Sequence, residues 1–582
     1  MNRGETPGAI DEWLKSFAQA LDQQNGEAAT ELFAGDAAWR DLLAFSWNIV
    51  TVEKPQEIRQ LLDDTVSLVC PSGFSVVDAP SSMEGMISFD TVFGSCQGYV
   101  RLQNGRAKML FTALQQLRGH EEKLGEKRPS GLYDDLSCNW LDRVASEQEK
   151  IGREEQPYVL IVGGGQGGLA LGARLRVLGV PALILDKHPR VGDQWRSRYK
   201  SLSLHDPVWY DHMPYIPFPD TWPVFTPKDK LADFLESYAS MMELNIWTGT
   251  EFVSGKYDDK ANQWTAVVHR NGEVIRLQPR HLVMAVGNAG FPITPDLPGK
   301  ENFEGVQLHS SEYRSGEDYA EQKVVVVGGN NSAHDICADL VEHGNTPTMV
   351  QRSTTLVLRA ETNAQLAAPL YSETALKSGI TTEHADFLSA SIPLRFLERM
   401  HRDLWTSIAA SDAQFYQNLL GAGFQLDFGE DGTGLWIKYL RRASGYYIDV
   451  GASEMISDGR IDLLSGKEIE RVSKNGLVLS NGDEIAADTI VYATGFGSME
   501  EWVKRLISSE VAEKIGQCWG YGSNTRNDPG PWDGELRNMW KPTAQRGLWF
   551  HGGNLQQSRF YSHYLALQLK ARFEDVAIRT WG

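Results

Sequence analysis

Trp13, Phe17 and Leu21, followed by Leu32 and Phe33, recur at the spacing of one helix face, with Asp11 placed to cap the first run. From about residue 66 the pattern shortens into apolar runs broken by Gly, Pro, Ser and Asn: 66–68, 74–77, 86–89, 99–102 and 108–114. The last two flank a turn at Asn104 and Gly105, and the series reads as a meander of strands. Helices followed by strands predict a small α+β unit over residues 1–118. Residues 119–156 are rich in Glu, Lys and Arg, contain Pro129 and Gly131, and read as a linker arm. From Pro157 onward the order is strand, glycine-rich turn, helix, strand, which predicts a doubly wound α/β sheet.

The continuous apolar run 158–162 suits a parallel strand buried on both faces. It leads into Gly163, Gly165 and Gly168, a GxGxxG turn with Gln166 inside it, and then a helix over 169–178. Gly163 permits the tight turn, Gly165 lets backbone approach a pyrophosphate, and Gly168 lets helix pack on strand. A strand over 182–185 then ends at Asp186, 18 residues after Gly168, where a carboxylate accepts hydrogen bonds from a ribose. Strand, glycines, helix, strand and acid in register predict an FAD site, with Lys187 beside the acid.

The run 323–327 opens a second such unit, with Gly328, Asn330 and Ala333 at the three turn positions and a helix to about Leu340. Asn331 and Ser332 begin that helix and are placed to bind pyrophosphate or carboxamide. After the strand 347–350, Arg352 and Ser353 stand where an acid is usual. A cation there suits the 2′-phosphate of NADPH; the missing acid leaves NADH admissible. Residues 383–445 read as extra helices, in which Phe387, Leu394, Phe396, Leu397, Met400, Leu404 and Trp405 share helical spacing and read as core before pocket.

Composition narrows the class. A net charge of −20 disfavours nucleic acid and anionic membrane as partners. No apolar run reaches a membrane span, and the first residues lack the apolar stretch of a targeting segment. The five scattered cysteines have no metal-ligand spacing, so no metal is expected, and they suit a reducing, cytoplasmic setting. No CxxC or CxxxxC pair exists, which argues against a disulfide reductase built on the same two-site layout.

Gly163 and Gly328 lie 165 residues apart, and between them Phe303, Gly305, His309, Tyr313 and Arg314 match FxGxxxHxxx(Y/F)(K/R) at every defined position. In this the chain resembles the class B flavoprotein monooxygenases, and flavin-containing monooxygenases more than Baeyer–Villiger enzymes, which carry Trp at the position of Tyr313. Gln194 and Trp195, Thr494 and Gly495, and Asn554 after Gly552 and Gly553 agree with that family. His205 stands where the mammalian members carry an Asn near the flavin. With the N-terminal extension, this resembles the type II flavin-containing monooxygenases; plant indole-pyruvate monooxygenases share the Leu204, His205, Pro207 stretch. Residues 38–43 resemble a nuclear transport factor 2-like cone, in which Asp36, Arg40 and Asp41 read as capping or solvated residues and not as a catalytic set.

The resemblance implies an FAD part at 157–315 and 481–582, with an NADP part at 316–480 inserted into it and carrying the helices 383–445. It implies FAD and NADPH as cofactors, dioxygen and a small organic molecule as substrates, and a homodimer. Reduced flavin forms a 4a-peroxide in this class, and dryness preserves it. His205 and Asn331 are the expected catalytic residues, His205 holding the proton state of that oxygen adduct. Baeyer–Villiger oxidation of ketones is the expected reaction. N- or S-oxygenation, indole-pyruvate-type decarboxylating oxygenation and an uncoupled NADPH oxidase are the alternatives.

Overall fold

The computed structural model describes residues 8–131, 138–287 and 290–582. Residues 1–7, read above for a targeting segment, lie outside it. The N-terminal part runs α1 (Ala9–Asp22), α2 (Gly26–Glu31), β1 (Phe33–Leu42), β2 (Ile49–Glu53), α3 (Lys54–Val69), β3 (Ser72–Ser81), β4 (Glu84–Asp90), β5 (Gly94–Gln103) and β6 (Arg106–Leu117). Its strands form one mixed sheet in the order β2-β1-β6-β5-β4-β3, with β1 and β6 parallel and the other neighbours antiparallel. Trp13, Phe17 and Leu21 form the buried stripe of α1. Trp13 stacks on Phe17 at 4.9 Å, and Phe17 meets Phe33 and Trp39 edge-on.

Three local expectations change. Gly8, not Asp11, caps α1; the Asp11 carboxylate accepts the Gly8 N–H at 3.2 Å. Leu32 closes α2 and Phe33 opens β1, so the two do not share a helix face. Residues 66–68 finish α3 and are not a strand, because so short an apolar run carries no period. Within the arm, α4 (Trp140–Lys150) is an exposed helix capped by Asn139.

Two five-stranded, wholly parallel sheets follow. The first has the order Leu548–Phe550, His281–Met284, β7 (Val159–Val162), β8 (Ala182–Leu185) and Ile246–Trp247. On it lie α5 (Gln166–Val177) and the C-terminal helix Leu555–Phe573, which pack against each other. The second has the order Val306–His309, Thr489–Tyr492, Val324–Val327, Thr348–Gln351 and Asp462–Ser465. Both Val306–His309 and Thr489–Tyr492 therefore belong to the second sheet. Its unit begins before residue 316 and runs past 480, since strand pairing sets these edges and local pattern does not reveal it. Helices Thr382–Ala390, Leu394–Ser411, Ala413–Gly421 and Gly434–Arg442 occupy the 383–445 region. Among the described residues no helix is long and apolar enough to cross a membrane.

Candidate active site

All four residues of β7 are buried, and Gly163 leaves the strand at φ +115°. A side chain at Gly163 would meet the Ala285 carbonyl at 2.3 Å, and one at Gly168 would meet the Gly163 carbonyl at 1.9 Å. The turn thus meets the backbone after the neighbouring strand on one side and the helix backbone on the other. Gly165 differs: a Cβ there finds nothing in the protein nearer than Gln194 Nε2 at 3.6 Å. The space above Gly165 is open toward a ligand, at the N-terminus of α5, where free N–H groups favour an anion.

Asp186 follows β8 and is 5% exposed. Its Oδ1 accepts the His188 N–H at 2.9 Å and lies 2.9 Å from His188 Nδ1. Oδ2 faces Gly164 and receives no hydrogen bond from a described residue, which leaves it for a ribose hydroxyl. The Gln194 amide is buried with neither atom partnered among the described residues, as is Trp195 Nε1. Buried polar groups left open in this way need a partner, and around a glycine cradle they fit a dinucleotide. Lys187 is exposed beside Asp186. Gln166 Nε2 reaches the Gly553 carbonyl at 3.5 Å. Asn554 caps the C-terminal helix through its Oδ1, donates from Nδ2 to Tyr210 Oη at 2.9 Å, and donates its N–H to Tyr439 Oη.

The second turn repeats the plan with larger residues. Gly328 sits at φ +146°, where a Cβ would strike the Ala493 carbonyl at 2.3 Å. Asn330 is the N-cap of helix Asn331–Glu342, and the buried Ala333 holds the position that glycine takes in α5. Ser332 is half-buried on that helix, whereas Arg352 and Ser353 are exposed past the strand Thr348–Gln351, with no ion pair to Arg352 among the described residues.

Thr494 and Gly495 lie in neither turn. They follow the strand Thr489–Tyr492, and Thr494 Oγ1 donates to the Ile293 carbonyl. Residues 290–293 and 495–497 run side by side as connectors between the two sheets, Gly290 N–H donating to Gly497 and Gly497 N–H to Phe291. His309 Nε2 lies 3.0 Å from the Gly495 carbonyl, and the buried Tyr313 donates to Asp339 Oδ2 at 2.7 Å. The family fingerprint therefore ties this joint to the second helix.

His205 reaches across the two units. Its Nε2 lies 3.4 Å from Asp335 Oδ2 on helix Asn331–Glu342, and the same oxygen accepts the Tyr199 hydroxyl at 2.6 Å. Burial pulls the His205 pKa down, but Asp335, aided by Asp206 and Asn331, outweighs it and leaves it above the ordinary value. Asn331 Oδ1 accepts the Ile448 N–H at 3.0 Å. His205 and Asn331 are neighbours, but the Asn331 carbonyl is already engaged.

Next to them lies a cavity of about 490 Å³. Asp206, Tyr210 and Asn554 bound it on the side of the first site; Leu394, Leu397, Met400, Leu404 and Trp405 bound it from the inserted helices; Arg40 bounds it from β1. The helical stripe thus lines a pocket as well as a core. Arg40 and Asp41, read as capping or solvated, are both buried. Asp41 accepts the Phe45 and Ser46 N–H groups and the Ser46 and Thr112 hydroxyls. Asp36 is exposed and pairs with Lys108. Burial pushes the Asp206 carboxyl up to about 6 against the opposing pull of His205, and burial holds His401 down to about 4. Asp206, Tyr439 and Glu535 escaped the sequence reading; for Asp206 the only signal was its place between His205 and Pro207.

Comparison with known proteins agrees with this layout. A family model described as pyridine nucleotide-disulphide oxidoreductase matches residues 160–391. All five cysteines are free here. The indole-3-pyruvate monooxygenase YUCCA1 of Oryza sativa subsp. japonica is 32% identical over 351 residues, 60% of this chain and 79% of the relative. The probable indole-3-pyruvate monooxygenase YUCCA1 of Arabidopsis thaliana is 31% identical over 342 residues, 58% of this chain and 75% of the relative. A cyclohexanone monooxygenase crystal structure with bound ε-caprolactone covers 72% of this chain and 88% of its own, at TM-score 0.51 and 18% identity, a likeness of fold alone. With a third of residues shared over most of a plant monooxygenase, and the paired glycine turns that such an enzyme needs, the chain belongs to the flavin-containing monooxygenases, oxidoreductases that work with FAD and NADP(H).

Proposed function

We propose that the chain oxygenates a small, largely apolar organic substrate in the 490 Å³ cavity, using FAD held at the first turn and NADPH at the second. The carrying observation is that this cavity adjoins Asn554 and the residue next to His205, so the substrate space opens beside the first cofactor cradle. Gly163, Gly165, Gln166, Gly168, Asp186, Lys187, Gln194, Trp195 and Asn554 would hold FAD. Gly328, Asn330, Asn331, Ser332, Arg352 and Ser353 would hold NADPH, with Thr494 and Gly495 at the joint between the two. Bound FAD would supply the electron transfer from NADPH and the delivery of one oxygen atom; the chain supplies dryness, orientation and proton control.

Asp335, 3.4 Å from the His205 imidazole at the seam of the two units, favours its protonated form and raises its pKa above the ordinary value despite burial. Asn331 orients the strand behind it through Ile448 and is a positioning residue. The named relatives support indole-pyruvate-type oxygenation, one of the alternatives, ahead of Baeyer–Villiger oxidation of ketones. The N-terminal sheet reads as a nuclear transport factor 2-like unit that closes the cavity through Arg40. The test is turnover of the FAD-loaded protein under ¹⁸O₂ with NADPH and a panel of indole-3-pyruvate, a thioether, a tertiary amine and a cyclic ketone. One labelled oxygen in a product supports the reading. NADPH consumption matched by hydrogen peroxide with every candidate overturns it in favour of an uncoupled oxidase.

A further inference from the structure

The two ends of the first sheet are built differently. Its strands are all parallel, and the glycine turn, Asp186 and Asn554 lie past their C-terminal ends. At the opposite, N-terminal ends, about 13 Å of strand away, lies a second cavity of about 790 Å³. Tyr158 just before β7, His281 at the start of its strand and Gly547 before Leu548 bound it on the sheet side. Arg572 and Phe573, at the end of the C-terminal helix, bound it on another.

Three guanidinium groups meet there. Arg280, Arg546 and Arg572 line the cavity, and none has an ion pair among the described residues. Arg280 donates Nη1 to the Ala261 and Asn262 carbonyls at 2.6 and 3.0 Å. Arg572 donates Nη1 to the Gln568 carbonyl at 2.9 Å and lies over the Trp549 ring at 5.0 Å. That leaves Nη2 of both, and the whole Arg546 fork, without a partner among the described residues. Four other sheltered arginines each face a carboxylate: Arg40 meets Glu535, Arg174 Glu122, Arg441 Glu398 and Arg559 Asp386. Arg572 is half-buried with none, and burial lowers its pKa to about 10. Asp575 is the lining's acid, but it is exposed and pairs with no described residue. His281 shows that the three charges converge. Burial, then Arg572, Arg280 and Arg546 together, hold its imidazole down to about 3, and its Nδ1 accepts the Trp549 Nε1–H at 3.1 Å.

We propose that this cavity is a binding site for a phosphate group, free or carried on a small organic molecule, held by Arg546 and Arg572 with Arg280 at the rim. Guanidinium forks match phosphate oxygens in pairs. A dianion relieves the mutual repulsion of the three cations and replaces the hydration that Arg572 has lost. The half-buried rings of Tyr158 and Phe573, 4.9 Å apart, edge the same space and offer an apolar surface to an ester group. The site lies away from the cofactor turns and from Arg352 in the second unit, so it stands independently of the oxygenation chemistry.

The test is calorimetric titration of the FAD-loaded full chain with inorganic phosphate and with phenyl phosphate, at constant ionic strength. Saturable binding is expected, with a Kd of roughly 1 mM or tighter. Arg546→Glu breaks no contact of the folded protein and reverses one charge; it should weaken binding roughly tenfold or more, with flavin content unchanged. Arg352→Ala, at the proposed 2′-phosphate site, should leave binding within about twofold. Phenyl phosphate tighter than phosphate by about threefold or more supports the proposal and assigns an ester, since the ring then gains apolar contact. Equal affinities support it and assign the free ion. Absence of saturation up to about 10 mM overturns it, as does binding that Arg546→Glu leaves unmoved. Binding lost in Arg352→Ala and kept in Arg546→Glu overturns it by moving the phosphate to the second turn.

Discussion

The two glycine turns are built on the same plan and tuned to different tolerances. In the first, the start of α5 lies so close to the turn that a methyl at Gly168 would sit 1.9 Å from the Gly163 carbonyl oxygen. In the second, Ala333 already carries that methyl, fully buried. In the first unit the strand after the turn and helix, β8, leads to a buried acid, Asp186; in the second the corresponding strand leads to an exposed cation, Arg352, with no ion pair among the described residues. Close packing and a buried carboxylate suit a cofactor that stays. A looser turn with an exposed cation suits one that comes and goes with a charged 2′-phosphate. The contrast teaches that the glycine pattern sets the strand-to-helix geometry, while the next residues decide what is bound and how firmly.

The sharpest way to break the comparison is at the first turn. Gly168→Val must push α5 off β7, so little folded protein should be recovered. Gly165→Val meets no protein atom closer than the Gln194 amide, so the fold should survive while flavin is lost. Flavin absorbance per protein, beside circular dichroism, separates the two. Gly165→Val with a full complement of flavin would remove FAD from this turn.

These turns were legible because everything in them is local: an apolar strand, glycines and the next strand's last residue. The rest was hidden for physical reasons. β1 was missed because Gly35, Asp36, Arg40 and Asp41 interrupt its apolar positions, and two of those charges are buried against partners far along the chain or within a turn. Residues 66–68 could not declare their period. The cavity joins Arg40, Asp206, His401 and Glu535, which no window of sequence brings together. His205 was readable through resemblance, but its partner Asp335 was not, since that contact depends on how the second helix docks.

At the second turn the expected effect is smaller. If Arg352 binds the 2′-phosphate as proposed, Arg352→Ala removes a charged hydrogen bond worth about 1.5–3 kcal/mol. The KM for NADPH should rise roughly tenfold or more on that estimate, with NADH little changed. Parallel steady-state titrations of both coenzymes decide it, and an equal change in both would assign Arg352 another role.

The smallest effect belongs to the contact that joins the two halves. His205 is raised above its ordinary pKa because Asp335, 3.4 Å away on the second helix, outweighs the burial that would discharge it. A histidine whose folded pKa is raised adds stability that is fully present below its unfolded value of about 6.5 and fades as pH climbs through the folded value. Asp335→Asn keeps the shape and can still accept the Tyr199 hydroxyl, but it removes the charge that holds the proton. Its cost should therefore be largest near pH 6, on the order of 1 kcal/mol, and shrink toward pH 9. In a chain this long that is roughly 1–2 °C in the melting temperature of the FAD-loaded protein. Any pH-independent loss from the substitution subtracts out when the gap at pH 9 is taken from the gap at pH 6. A gap that stays constant across that range, or widens with rising pH, would show that His205 is neutral in the folded protein and that the two halves are held together without this charge.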